Sequence, residues 1–198
     1  MTSSQWDLYA YQPAFVIGFH GCDAATGEAI LRGESAHLKP SQEKWDWLGH
    51  GIYFWQGNPQ RAFEWATERA TKDKILNPFV LGAIIDLRHC LDLLDSTGLA
   101  KVAEAHALVK ASYATLDKPL PANIGGNDKA IRILDCLVIN SLHDYRKTEK
   151  LVEYDSVRAA FPEGEELYAD AGFKSKNHIQ LCIRDKRCIK GYFRPIAS

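Results

Sequence analysis

Short apolar runs alternate with helically spaced stripes along this chain, and their sequence sets out an order of elements. Ala14 to Phe19 is rich in β-formers and predicts a buried strand. Asp23 stands where a helix cap is needed, ahead of an expected helix from Ala24 to Leu31 that Gly33 would end. Residues 34–48 are polar apart from Trp45 and Trp47, and predict a loop lying over another part of the chain. Gly51 to Trp55 reads as a second strand. Asn58-Pro59, in the cap-then-proline order, opens a second helix with Ala62, Trp65, Ala66 and Arg69 on one face. Phe79 to Leu87 predicts a third strand.

The middle of the chain is helical. Residues 96–115 and 127–146 are expected as helices, the second with Ile131, Leu134, Leu137, Val138 and Leu142 at core-facing spacing. Leu116 to Gly126 is rich in Pro, Gly and Asn and reads as their connection. Residues 161–177 form an acidic, glycine-containing loop. His178 to Ile183 and Cys188 to Phe193 then read as a closing hairpin or adjacent strands. Strands at both ends with helices between them predict one mixed α+β domain over residues 1–198.

Composition narrows the function classes. A net charge of -1 gives no global reason to expect nucleic-acid or membrane binding. The charge is uneven, however. Glu149, Glu153, Asp155, Glu163, Glu165, Glu166 and Asp170 precede a basic end with Lys174, Lys176, Arg184, Lys186, Arg187, Lys190 and Arg194. The basic end reads either as a solvated face or as a rim for phosphates. The five cysteines, Cys22, Cys90, Cys136, Cys182 and Cys188, form no Cys-x-x-Cys pair, which argues for a reducing compartment. Met1 to Tyr11 does not have the form of a signal peptide, and Pro78 to Ile85, the longest apolar run, is too short to span a bilayer. A cytoplasmic protein without membrane contact is expected. His37, His50, His89, His106, His143 and His178 show no metal-ligand spacing, so no metal is expected.

Candidate chemistry sits in two glycine-flanked segments, Phe19-His20-Gly21 and Gly49-His50-Gly51-Ile52-Tyr53-Phe54. Each puts a polar or aromatic side chain at the end of an apolar run, beside glycines that let backbone approach a ligand. Together they suggest a pocket for a flat, ribosylated ligand. His20-Gly21, then Ala29-Ile30-Leu31 with Gly33, then Gly49 to Phe54 with Ala62, and finally Gln180 within Asn177 to Leu181 follow a familiar order. Asp185 and Ile189 also fit its last strand. In this order the chain resembles the ADP-ribosyltransferase superfamily, in its diphtheria-toxin-like and poly(ADP-ribose)-polymerase-like branch. The resemblance spans nearly the whole chain. It implies a split β-sandwich core with surrounding helices and a helical insertion at about 92–160.

The resemblance also implies roles. NAD⁺ would be the co-substrate, with His20 on the adenosine ribose and the Gly21 backbone on the nicotinamide amide. Tyr53 would give a face for nicotinamide to stack on. The second stacking aromatic of the family aligns on Glu64, which cannot stack, so Phe63 or Trp65 is named for that place. The third catalytic position is Gln180, where a glutamate is usual. Glutamine keeps an acceptor oxygen for the ribose 2′-OH but loses the charge beside an oxocarbenium-like transition state. That loss is worth roughly 1.5–3 kcal/mol, which lowers the rate without abolishing it. Without the carboxylate, one transfer per site is expected rather than a polymer.

The expected activity is therefore mono-ADP-ribosylation of a macromolecular acceptor, protein, RNA or DNA. By analogy the enzyme would be a bacterial toxin or a phage-defence effector with a neutralising partner. The loop before the third motif, Pro162 to Lys176 by position, governs acceptor choice in the superfamily. Lys174, Lys176 and Arg184 could hold a phosphate backbone there. Rival readings are an NAD⁺ glycohydrolase, an RNA 2′-phosphotransferase of the same fold, or a catalytically silent module that binds NAD⁺ or ADP-ribose. The phosphotransferase reading needs arginines beside the motif residues, and the sequence places none.

Overall fold

The structure, a computed structural model, describes residues 11–72, 75–126 and 128–196. It is an α+β fold with strands β1 (Tyr11–Asp23), β2 (Ile52–Gln56), β3 (Pro78–Asp92), β4 (Ser156–Phe161), β5 (His178–Ile183) and β6 (Ile189–Phe193). The helices are α1 (Ala24–Leu31), α2 (Pro59–Ala70), α3 (Ser96–Thr115) and α4 (Ile133–Thr148). None is long and apolar enough to cross a membrane among the described residues.

Local chemistry sets the helix starts. Asp23 accepts from the Ala25 amide at 2.9 Å with one carboxylate oxygen. Its other oxygen takes the Leu76 and Asn77 amides, tying the start of α1 to the entry of β3. The Asn58 side chain accepts from the Arg61 amide at 2.9 Å ahead of Pro59, as the cap-then-proline order predicts. Helix α4 begins later than its apolar stripe suggests. Gly125 and Gly126 take positive φ, Ile124 and Ile131 bridge, and the Asn123 side chain then accepts from the Leu134 and Asp135 amides. Ile131 is consequently exposed and stands outside the helix.

The strands form one six-stranded sheet in the order β1-β2-β5-β4-β3-β6, and β3 also pairs with β1. The first five therefore make a closed circuit, which only the short parallel ladder Cys90↔Ser156 to Asp92↔Arg158 completes. Two expectations change here. The last two strands are not neighbours, since β5 lies between β2 and β4 while β6 flanks β3. The helical segment is also shorter than 92–160, because residues 156–161 are β4. Its Ser156 and Arg158 break an apolar reading, and the strand exists through pairing on both edges.

The sheet buries a different cluster on each face. Ile52 and Phe54 of β2, Leu81, Ala83 and Ile85 of β3, and Leu181 and Ile183 of β5 share one core. Val157, Ala159 and Phe161 of β4, Cys182 of β5 and Val138, Ile139 and Leu142 of α4 share the other. Strand β5 feeds both, because its successive side chains point to opposite faces.

His143, on the inner side of α4, is buried with neither ring nitrogen hydrogen-bonded. Burial, with Arg184 and Arg146 nearby, lowers its pKa from 6.5 to about 3. The unfolded chain therefore takes up a proton below pH 6.5 that the folded chain refuses until about pH 3. Stability contributed by this residue is complete above pH 6.5 and falls as pH drops, by about 1.4 kcal/mol per unit. Urea unfolding of wild type and His143→Leu from pH 7 to pH 4 should show a slope shallower by that amount in the variant. Equal slopes would refute the assignment.

Candidate functional site

The ladder between β1 and β2 consists of Gly18↔Gln56 and Phe19↔Trp55. Beyond it β1 continues against β3, while β2 continues against β5. A split opens at His20-Gly21, and one side chain bridges it. The His20 Nδ1–H donates to the Tyr53 carbonyl at 2.7 Å. Since a carbonyl can only accept, that bond fixes the tautomer and leaves Nε2 as an acceptor. Burial lowers the His20 pKa against the raising effect of this bond, so the ring stays neutral. Its ring also meets Phe54 edge-on at 5.8 Å.

Tyr53 leaves the sheet on the other face. Its hydroxyl accepts from the Leu48 amide at 2.9 Å and donates to the Gly49 carbonyl at 2.5 Å. This closes the turn that enters β2, and burial raises the phenol pKa well above 10. Gly49 takes φ +75°, and a side chain there would collide with Asn140, whose Oδ1 accepts from the His50 amide. Gly49 is thus required by the turn, and Gly51 by packing, since a Cβ there would lie 2.5 Å from the Cys182 sulfur.

Gly21 faces α2. A Cβ at this position would lie 2.2 Å from the Ala62 carbonyl oxygen, so only glycine lets the helix sit directly on the strand. The fully buried Ala62 and Ala66 make the same contact from the helix side. Of the two aromatics considered for α2, Trp65 turns inward, with its ring 5.7 Å from that of Trp55 and the Arg69 guanidinium over it. Phe63, two residues earlier, is exposed. Glu64 pairs with Gln60 and lies near Arg61.

Gln180 sits on β5 opposite Trp55 of β2 and Ala159 of β4. It is buried, and its Oε1 has no hydrogen-bond partner. It is not alone in this. Of nine buried side-chain atoms without partners among the described residues, five belong to Trp55, Arg61, His178 and Gln180. These residues gather on one face. The His178 ring is 6.3 Å from that of Trp55, and the Arg61 guanidinium is 6.0 Å from Trp55. Trp47, whose indole N–H donates to the Ala130 carbonyl, stacks over His178 with ring centres 6.1 Å apart.

Trp55, Arg61 and His178 are the members that the sequence did not single out. Arg61 is only 4% exposed. Its Nη2 donates to both Glu163 oxygens at 3.2 and 3.1 Å, and Glu64 and Glu68 lie just under 4 Å from Nη1. Nothing local marks an arginine on an amphipathic helix for burial, because Glu163 arrives from a distant loop.

The three basic residues proposed for acceptor contact do not form one surface. Lys174 is paired with Asp128 at 2.7 Å, and Lys176 with Glu68 at 2.8 Å. Arg184 follows β5 at its far end, where Nη1 donates to the His50 carbonyl. Beside the two lysines, a cavity of about 530 Å³ lies between residues 125–130 and 163–174. Asp128, Glu163, Glu165 and Glu166 line it against Lys174 alone. Among the described residues no group of His, Cys, Asp or Glu is placed to hold a metal ion.

Comparison with known proteins adds one relative. Over 190 residues the chain is 25% identical to an uncharacterised protein of Methanocaldococcus jannaschii, covering 87% of this chain and 83% of that protein. No family model matches the chain. No solved structure matches it.

Tyr53→Phe would leave the Leu48 amide without its acceptor and the Gly49 carbonyl with only the long Cys182 thiol contact at 3.7 Å. The expected loss is about 1–3 kcal/mol of stability, read as a lower urea midpoint at unchanged m-value. A variant as stable as wild type would show that the hydroxyl does not hold the turn.

Proposed function

We propose that the protein is an NAD⁺-dependent mono-ADP-ribosyltransferase. The reading rests chiefly on the split between β1 and β2, where His20 reaches the Tyr53 carbonyl beside Gly21, and on the unpaired oxygen of Gln180, which lies across Trp55 from the last rung of that ladder on the opposite face from the His20 ring. The His20 Nε2, left as an acceptor by the Nδ1 bond, suits a ribose hydroxyl donor. Gln180 Oε1 is an unsatisfied buried acceptor, whose isolation costs about 1–3 kcal/mol until a donor such as the ribose 2′-OH reaches it. In the reaction the bond between ribose C1′ and the nicotinamide nitrogen breaks. Nicotinamide leaves neutral, and C1′ bonds to the acceptor while the acceptor proton is lost.

The surroundings of the third motif favour a protein acceptor over a nucleic acid. Lys174 and Lys176 are each neutralised by a carboxylate, and the adjoining cavity is acidic. Such a cavity repels a phosphate backbone and suits a segment carrying lysine or arginine.

Incubation with labelled NAD⁺ and a cell lysate should label protein and release nicotinamide, and Tyr53→Ala should abolish both. Gln180→Glu should raise nicotinamide release by about 10–150-fold, the factor expected for restoring a charge-assisted hydrogen bond. Absence of nicotinamide release, with Tyr53→Ala behaving as wild type, would overturn the proposal.

A further inference from the structure

Gln180 offers hydrogen-bond acceptance but no base, and an acceptor hydroxyl must lose its proton during transfer. His178 is placed to take it. It lies two residues before Gln180 on the same strand, so the two side chains share a face about 7 Å apart along the strand. Its Nδ1–H donates to the Lys176 carbonyl at 2.8 Å, with a Glu163 oxygen 3.6 Å away. These contacts fix the ring and its tautomer, and they leave the lone pair on Nε2.

That Nε2 is buried and unpartnered, on a side chain only 1% exposed. Gln180 Oε1 beside it is unpartnered too. With the Trp55 Nε1–H and the Arg61 Nε–H and Nη1–H also unpartnered in this cluster, the arrangement is an unstable one for a core and a sensible one for a site that receives a hydroxyl-bearing substrate. Aromatic rings of Trp47, Trp55 and Phe161 pack beside the imidazole, with ring centres 6.1, 6.3 and 5.6 Å away. The charged groups around it are Glu163 from the loop, Arg61 from α2 and Arg132 ahead of α4.

We propose that His178 is the general base of the transfer and that the acceptor group is a hydroxyl. The proposal rests on the ADP-ribosyltransferase reading above. Gln180 receives the ribose 2′-OH, and His178 Nε2 receives the acceptor O–H. As the C1′–nicotinamide bond breaks, the acceptor oxygen bonds to C1′ and its proton passes to Nε2. Neutral nicotinamide, an O-linked ADP-ribosyl product and a protonated His178 result, and the proton then leaves to solvent. Arg61, which holds Glu163, is a positioning residue for this step.

Burial lowers the His178 pKa below 6.5, against raising effects from the Lys176 carbonyl and Glu163. Transfer requires the neutral ring, so its rate is level at neutral pH and falls as pH drops through that lowered value. Methanol serves as the probe hydroxyl, with methyl ADP-ribose formed from NAD⁺ measured by mass spectrometry between pH 4.5 and pH 8. His178→Asn should lose product formation by about 10²–10⁴-fold and lose the acid limb of the profile. Added imidazole should restore product to His178→Gly.

Product within a few-fold of wild type in His178→Asn would overturn the assignment. So would a loss that imidazole leaves untouched while NAD⁺ still raises the melting temperature. If wild type forms ADP-ribose and nicotinamide but no methyl ADP-ribose, the hydroxyl acceptor is wrong while NAD⁺ cleavage stands. If wild type neither releases nicotinamide nor is stabilised by NAD⁺, the ADP-ribosyltransferase reading fails and takes this step with it.

Discussion

Strand β5 is buried on both faces, and that constraint organises the rest of the molecule. Leu181 and Ile183 fill one core, and Cys182 fills the other. A strand with no solvent face cannot hydrate its polar side chains, yet this one carries His178 and Gln180. Their neighbours follow from that position. Trp55 comes from β2, Phe161 and Ala159 from β4, and Arg61 reaches in from α2. The polar cluster exists because two apolar layers meet around it.

Local chemistry was open to reading from the sequence. Asp23 and Asn58-Pro59 mark helix starts because a cap acts within three residues. The glycines at 21 and 49 stand where backbone packing and a positive φ demand them. What the sequence hid is non-local. Strand β4 carries Ser156 and Arg158 and exists only through pairing with β3 and β5. The separation of β5 from β6 depends on which edge each finds, and nothing in their own residues encodes it. Arg61 reads as a solvated helix position until Glu163, 102 residues later, covers it. His178 reads as a structural histidine until its ring nitrogens are assigned separately.

The two histidines at the candidate site are used alike. Each donates from Nδ1 to a backbone carbonyl, His20 to Tyr53 and His178 to Lys176, and each is kept neutral by burial. In both, the fold spends one nitrogen on orientation and frees the other as an acceptor. Neither position depends on a mobile surface side chain for its geometry.

The ladder that completes the strand circuit bears on how the chain folds. Arg158 and Asp92, which meet across it, are 66 residues apart in sequence, and the α3–α4 pair lies between them. Contacts of that separation form late, because a long loop must be closed before they stabilise anything. The helices can associate through local contacts first and then carry β4 to the edge of β3. Strand β5 finds its second neighbour only when β4 arrives, so the polar cluster is among the last parts of the molecule to assemble. A nascent chain that stops short of this step has its cores partly formed but no site.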